Sequence, residues 1–146
     1  MKDNKDRDEV LAAVKEDGQA LQYADESLKK DREIVMAAVK QNGYVLEDAD
    51  ESLKKDREIV MVAVKQDETG SALGFADKSL QKDREIVLAA VKQYGGALED
   101  ADESLRKDKE IVMVAVKQDA SAIEYAHNSL KKDKDIIKVL EGVDID

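Results

Sequence analysis

The chain's single histidine, His127, stands three residues after Glu124 in the stretch EYAH. Carboxylate-bridged di-iron proteins bind their metals with two helices that each carry such a Glu-x-x-His pair. This sequence contains one pair, and aspartate occupies the position of His127 in the other copies of the surrounding pattern. We therefore interpret His127 as a surface residue and predict no metal site.

Closely spaced acids suggest calcium, most clearly in the run EDADESLKKDREIVM at positions 47–61. An EF-hand loop beginning at Asp48 would need glycine at its sixth position and glutamate at its twelfth, where this chain has Leu53 and Ile59. The acids instead precede lysines by four residues, as Asp50 does, which is typical of a solvated helix surface. We predict that this run is structural.

The other candidates for catalysis lack the neighbours that catalysis needs. The recurring serines have no adjacent base and no Gly-x-Ser-x-Gly turn. The stretch GSALGFADKS contains Gly70 and Gly74 but not the Gly-Lys-Ser/Thr ending of a phosphate-binding loop. We predict no catalytic residue, no cofactor and no enzymatic activity.

Composition argues against further classes. The 146 residues include 24 basic and 34 acidic side chains, for a net charge of −10, and the chain has no cysteine. This charge disfavours nucleic acid, whose phosphates are bound by lysine and arginine. No apolar run approaches the roughly 20 residues that span a bilayer, and the amino terminus does not resemble a signal peptide. We expect a soluble chain without a membrane partner, cytoplasmic by default.

The sequence repeats itself, and this repetition must position any site. A Ser-Leu pair recurs with spacings of 25, 27, 25 and 25 residues, at Ser27, Ser52, Ser79, Ser104 and Ser129. The longer step comes from two extra residues in QDETGSAL, and an insertion of this kind marks a loop. A fixed period is the sign of an architecture in which each unit buries its apolar face against its neighbours.

Each repeat divides into a long and a short helical segment. In DREIVMAAVKQ, which begins at Asp31, the apolar residues follow a helical period and the aspartate can cap the helix. Long helices are predicted near 6–17, 31–42, 56–67, 83–94, 108–119 and 133–141. Short helices are predicted near 19–29, 44–54, 72–81, 97–106 and 122–131. We predict one all-α domain over residues 1–146, a right-handed α-solenoid of helical hairpins with about 11 helices.

Glycines follow several long helices and mark the connections within the hairpins. The dipeptides DG, NG and GG place Gly18, Gly43 and Gly95 directly after a long helix. Glycine at this position commonly adopts the left-handed conformation that ends a helix. We expect this conformation at these glycines or, in the dipeptide NG, at Asn42.

Polar residues replace apolar ones in the first and last copies. Glu9 stands where the other long helices have isoleucine, and Lys138 and Glu141 replace methionine and valine. Terminal repeats need such polar outer faces because those faces meet water. We expect polar capping helices at both ends and a monomer, with end-to-end or lateral self-association as the alternative.

A second period, about two repeats long, runs through one position of the short helices. Aromatic residues and aspartate alternate there, in the order Tyr23, Asp48, Phe75, Asp100 and Tyr125. In the long helix that follows, the position of Ala37 holds alanine after an aromatic and valine after an aspartate, except in the last copy. One interpretation is volume compensation within the core. The other is an exposed aromatic stripe that contacts a partner.

The stretch DREIVLAAVKQYGGALEDADESLRKD at positions 83–108 shows the pattern in regular form. It resembles the consensus of an uncharacterised tandem α-helical repeat family, a domain of unknown function, and the resemblance extends over residues 6–139. The family's unit of two hairpins also fits the alternation of aromatics and aspartates. The resemblance implies a helical array and transfers no catalytic residue.

We therefore predict a non-enzymatic scaffold for protein–protein interaction. The loops after the long helices differ between repeats, so a protein partner is expected to contact them, with Tyr44 and Tyr94 as the preferred residues. The repeated aromatics Tyr23, Phe75 and Tyr125 are the second candidate surface.

The alternative is a structural or self-assembling protein, including a designed one with no specific ligand. The segments Asp31–Gln41 and Asp56–Gln66 differ at one position, where Ala37 is replaced by Val62. Such near identity indicates either recent duplication or deliberate construction from a consensus.

Overall fold

Six long α-helices follow one another along the part of the chain that the computed structural model describes, residues 4–142. They lie at Arg7–Glu16, Arg32–Gln41, Arg57–Lys65, Arg84–Gln93, Lys109–Gln118 and Lys134–Leu140. Each helix begins directly after an aspartate whose carboxylate accepts a hydrogen bond from the first turn. In the second helix, Asp31 accepts from the amide of Ile34 at 3.1 Å. These caps satisfy donors that would otherwise lack partners within the helix.

Every long helix buries one apolar face. In the second helix this face consists of Ile34, Val35, Ala38 and Val39, which have no exposed surface. The spacing of these residues is the helical period that the sequence shows, and burying each Ile or Val stabilises the fold by about 1.5–3 kcal/mol. The long helices therefore form where their local pattern and their burial agree.

The predicted short helices are each divided in two, which is a correction to the expected hairpins. The first part is a 3-10 helix in four repeats and a short α-helix in the third, at Gly18–Tyr23, Gly43–Asp48, Ala72–Phe75, Gly95–Asp100 and Ala120–Tyr125. The second part is a separate turn, which is helical at Lys78–Gln81, Glu103–Arg106 and Asn128–Leu130. The chain therefore has more helical segments, and shorter ones, than the predicted eleven.

A backbone hydrogen bond between repeats explains the division. Ala49 is extended (φ −74°, ψ 153°), and the amide of the next residue, Asp50, donates to the carbonyl of Lys29 in the preceding repeat at 3.0 Å. The same bond recurs along the array, from Asp25 to Asn4, from Asp77 to Lys54, from Asp102 to Gln81 and from His127 to Arg106. A continuous helix would direct that amide to a carbonyl in its own preceding turn, so the short segment opens at the alanine.

The aspartate after each break caps the turn that follows. The carboxylate of Asp50 accepts from the amide of Ser52 at 3.0 Å and from its hydroxyl at 2.6 Å. The four-residue pairing of Asp50 with lysine is therefore wrong, and Lys54 pairs with Glu51 at 3.1 Å instead. His127 replaces the carboxylate in the fifth repeat, since its Nδ1 accepts from the amide of Ser129 at 3.1 Å. The histidine is thus a capping residue.

Glycine is required after the long helices for a reason other than the predicted one. The described glycines with positive φ are Gly70 and Gly142, so the left-handed conformation expected of Gly18, Gly43 and Gly95 is wrong. A Cβ at Gly43 would overlap the carbonyl oxygen of Ala63 in the next long helix. The other two glycines face Ala38 and Ala115 in the same way. Close packing between repeats selects glycine here.

The repeats stack into an all-α array with units of about 25 residues. Long helices pack side by side in chain order, short segments do the same, and each layer packs against the other. Fully buried side chains such as Ile59 and Leu46 lie between the two layers. At the ends, Glu9, Lys138 and Glu141 are exposed. Between Asn4 and Gly142, no helix combines the length and the apolar character that crossing a membrane requires.

Candidate functional site

A row of ion pairs joins the first residues of successive long helices. Arg32 donates to Asp56, the cap of the next helix, with Nε–Oδ2 at 2.8 Å, and its Nη2 lies 2.7 Å from Glu58. Arg7, Arg57, Arg84 and Lys109 make the equivalent pairs. We call these five cations the arginine ladder. Because the aspartate caps its own helix as well, one carboxylate fixes both a helix start and the neighbouring repeat.

The pKa shifts within the arginine ladder indicate that it has a structural role. The guanidinium of Arg32 holds the pKa of Asp56 below its usual value, and the guanidinium of Arg57 does the same for Asp83. Groups already satisfied by charge-assisted hydrogen bonds have little left to offer a ligand. The charges of the arginine ladder and of its acidic partners are therefore matched by one another.

The insertion in the third repeat, between its long helix and its short helix, forms an ordered loop around a buried acid. Asp67 is 6% exposed, and its carboxylate accepts from the amides of Thr69 at 2.9 Å and Ala72 at 2.7 Å and from the Thr69 hydroxyl at 2.7 Å. Gly70 follows with φ of 80°, a conformation that glycine adopts without strain. The conformation of the loop is therefore fixed by the hydrogen bonds to the buried carboxylate of Asp67.

Tyr94 fastens this loop to the fourth repeat. It directly follows the fourth long helix, its hydroxyl donates to the carbonyl of Glu68, and its ring lies against Gly70. The predicted contact residue thus supports the insertion loop, and its ring also faces a cleft. Tyr44 is half-buried, and its hydroxyl accepts from the side-chain amide of Gln19 in the preceding repeat.

The insertion-loop cleft, of about 540 Å³, brings two of the predicted aromatics together. Its lining includes Tyr94 and also Tyr125, the last residue of the Ala120–Tyr125 segment. The lining also includes the carboxyl-bearing residues Glu99, Asp100 and Asp119. Three repeats contribute to this cleft, because the loop, the fourth short segment and the fifth meet there.

The charged residues that line the cleft are all acidic. None of Glu99, Asp100 and Asp119 forms an ion pair within residues 4–142. Burial, and then the neighbouring Glu99, raises the pKa of Asp100, and the charge of Lys78 opposes this rise in part. The same glutamate, followed by other acids, raises the pKa of Tyr125. A cation in this cleft would relieve that repulsion.

The remaining stripe residues lie outside the cleft. Tyr23 is the most exposed, at 45%, while Phe75 is half-buried and packs against the core. Asp48 is half-buried, and its pKa is raised by burial and then by Glu47. Ala37 and Val62, the positions that vary with the stripe, line a different cleft on the first three long helices.

The site predicted from the sequence does not include Glu99, Asp100, Asp119 or the loop residues Thr69 to Ser71. The two-residue insertion was the signal that could have located them, because it is the one place where the period changes. The sequence does not reveal that Tyr125, two repeats further on, lies beside it.

The described residues contain no group of three or more His, Cys, Asp or Glu side chains placed to hold a metal ion. The acids of the cleft are thus arranged differently from a coordination sphere. Aromatic rings beside separated carboxylates are suited to an organic cation such as a lysine or arginine side chain.

Comparison with known proteins agrees with the repeat pattern. A family model described as a domain of unknown function, DUF4116, matches residues 6–54, 38–81, 56–106, 83–131 and 108–140. No curated protein and no solved structure matches the chain. The matches overlap from one repeat to the next and together cover nearly all of the sequence. The chain therefore belongs to the DUF4116 family, as a tandem array of its repeats.

Proposed function

We propose that the chain is a non-enzymatic scaffold that binds a basic segment of a partner protein in the insertion-loop cleft. The observation that carries this proposal is the meeting of Tyr94 and Tyr125 with three carboxyl groups that form no ion pair within residues 4–142. The cleft forms where the repeat period is broken, and there Gly70 faces the ring of Tyr94 while Gly43 in the second repeat faces the backbone of Ala63.

The chemistry of the cleft favours a cation over other ligands. A lysine or arginine side chain against an aromatic ring gains about 0.5–2 kcal/mol, depending on its desolvation. The same side chain would also compensate Asp100, whose ionised form is disfavoured by burial and by the charge of Glu99. An arginine could hydrogen-bond a carboxylate with two donors while its plane rests on a tyrosine ring.

We propose a right-handed α-solenoid whose short-segment layer carries the cleft. Long helices that pack in chain order, with a regular ion pair between neighbours, support such a solenoid. An experimental structure would test its handedness directly.

The test is calorimetric titration with an arginine-rich 12-residue peptide at low salt, beside a peptide in which glutamate replaces every arginine. Asp100→Asn combined with Glu99→Gln should weaken binding of the arginine peptide about tenfold, because two surface charges are lost. The matched control is Asp48→Asn combined with Glu47→Gln, which makes the same changes at the same repeat positions outside the cleft.

The proposal requires a difference between these two double variants. If both weaken the arginine peptide equally, the attraction comes from the net charge of the chain and not from the cleft. Tyr125→Leu adds an independent check, because it removes the ring face and leaves all the carboxylates in place.

A further inference from the structure

A second row of cations runs along the array, at the carboxyl ends of the long helices. Every member is exposed, and none takes part in an ion pair with another residue between Asn4 and Gly142. We call this set the lysine row; it consists of Lys15, Lys40, Lys65, Lys92 and Lys117. It contrasts with the arginine ladder at the other end of the same helices, where every cation is paired.

An apolar row lies beside the lysines, on the outer side of the long helices. Its members are half-buried and pack only partly against the core, and they are Leu11, Met36, Met61, Leu88 and Met113. Two clefts open here. One of about 690 Å³ includes Met36 and Lys40, and one of about 500 Å³ includes Met61 and Lys65. Methionine side chains adapt to the shape of what they contact, which suits them to docking surfaces.

The carboxylates that line these clefts already form ion pairs with arginines. Glu58, in the larger cleft, pairs with Arg32 at 2.7 Å, and Glu85, in the smaller one, pairs with Arg57 at 2.6 Å. Counting all the charged residues that line it, each cleft has one more cation than carboxylates. A chain with a net charge of −10 thus presents a local positive edge beside an apolar surface.

The helix dipole favours lysine in the last turn of each helix, which explains why the lysines recur. It does not account for an apolar row that stays partly exposed next to the lysines in repeat after repeat. Charge and apolar surface together describe what an amphipathic partner recognises.

We propose that this face binds an acidic amphipathic helix of a partner protein, laid across the long helices. Neighbouring helices pack about 8–10 Å apart, so the lysines should recur at about that spacing. Seven residues of an α-helix rise about 10.5 Å. A partner helix with apolar residues and glutamates at a seven-residue repeat would therefore meet one apolar position and one lysine in each repeat of the array.

A helix fits this surface better than an extended segment. In an extended chain successive side chains point to opposite sides, so the acids next to its apolar residues would point away from the lysine row. A helix places acids along the flank of its apolar stripe, which is the arrangement that parallel apolar and lysine rows require. The surface is separate from the insertion-loop cleft and attracts the opposite charge.

The test uses two synthetic 21-residue peptides, one with leucine at heptad positions a and d and glutamate at e and g, and one with lysine at e and g. The acidic peptide should bind the full chain, and the basic peptide should bind at least tenfold more weakly. Replacing three members of the lysine row, as Lys40→Gln, Lys65→Gln and Lys92→Gln together, should weaken the acidic peptide about tenfold, since three surface ion pairs are lost.

The matched control replaces Lys30, Lys55 and Lys82 by glutamine, which removes three exposed lysines one residue before the helix caps. It should leave binding within about twofold of the unchanged protein. Equal weakening by both triple variants, or equal binding of both peptides, would overturn the proposal. Met36→Ser with Met61→Ser should also weaken the acidic peptide without changing any charge, and unchanged binding in that variant would overturn it too.

Sedimentation of the protein alone tests the main rival occupant. The proposal expects no self-association that depends on the lysine row. A dimer that disappears in the Lys40, Lys65 and Lys92 variant would assign the face to a second copy of this chain and overturn the proposal.

Discussion

Two junctions between repeats are built differently from the same consensus. At the junction of the second and third repeats, Gly43 packs directly on the carbonyl of Ala63. At the junction of the third and fourth, the equivalent glycine is Gly70, which lies against the ring of Tyr94 instead. The two inserted residues place that glycine on a loop held by Asp67.

The difference shows what a repeat must keep and what it can change. Both junctions retain the ladder ion pair and the backbone bond between repeats, made by the amides of Asp77 and Asp102. They differ at the carboxyl end of the long helix. There the second–third junction packs glycine against backbone, and the third–fourth junction packs it against a side chain. The exchange opens the insertion-loop cleft, so the variable end of the junction is where a site can form.

The largest effect on stability should come from replacing the glycine at the regular junction by a larger residue. Gly43→Ala places a methyl group on the carbonyl of Ala63 and should cost about 3 kcal/mol or more in the free energy of unfolding, because backbone has to move. Urea denaturation would measure it. Gly96→Ala is the matched control, since a Cβ there meets nothing within 4 Å, and it should change stability by less than about 1 kcal/mol. Similar losses in both variants would show that close packing does not define the regular junction.

The next effect concerns the inserted loop. Asp67→Ala leaves the amides of Thr69 and Ala72 without their acceptor and should cost about 1–3 kcal/mol. The same variant should weaken the arginine peptide, because the loop forms one wall of the cleft. Hydrogen exchange would show increased opening at residues 67–72 while the second repeat keeps its protection. A uniform loss of protection along the chain would mean that the loop does not unfold separately.

A smaller effect should be equal at both junctions. Arg32→Ala and Arg57→Ala each remove one step of the arginine ladder, and the sequence distance to the partner differs only by the insertion. Each should lower Tm by about 1–2 °C at low salt and by less at 1 M salt, because the pairs are exposed and screened. Unequal shifts would show that the insertion changes the coupling between the repeats.

The smallest effect should be a gain in stability that depends on pH. The folded-state pKa of Asp48 and of Asp100 is raised by burial, so their ionised forms destabilise the fold as pH rises through that pKa. Asp48→Asn and Asp100→Asn should therefore raise Tm slightly at pH 7, and the gain should disappear below about pH 4, where the carboxyl group is protonated in both states.

Asp50→Asn should change Tm in the opposite direction. Hydrogen bonds from Ser52 lower the pKa of Asp50, so its contribution to stability is present above the pKa of the unfolded chain and is lost as pH falls through the folded value. This variant should lower Tm at pH 7. A rise in Tm for Asp50→Asn, or a fall for Asp48→Asn, would contradict the assignment of these two aspartates.

The sequence was sufficient where local pattern and packing agree. The face that contains Ile34 and the cap at Asp31 predict the long helices, because both signals come from one short stretch. The short segments were mispredicted, because Leu46, Ala49 and Leu53 have helical spacing while the amide of Asp50 bonds to another repeat. The local sequence pattern does not show that a carbonyl of another repeat competes for the amide of Asp50.

The candidate site depends on the same kind of longer-range information. Tyr94 and Tyr125 were recognised as aromatics in suggestive positions, but their meeting depends on the loop conformation that Asp67 holds. The arginine ladder was missed for a related reason. Arg32 and Asp56 are 24 residues apart, and pairing them requires the register of one repeat on the next.

The backbone hydrogen bond from each repeat to the one before it has a mechanical consequence. A force applied to the two ends of the array would load these bonds one after another, because each repeat contacts mainly its neighbours. Rupture should then proceed from an end, releasing about 80 Å of contour for each repeat of 25 residues. The array would yield in steps, and a partner held across several repeats would raise the force at which the first step occurs.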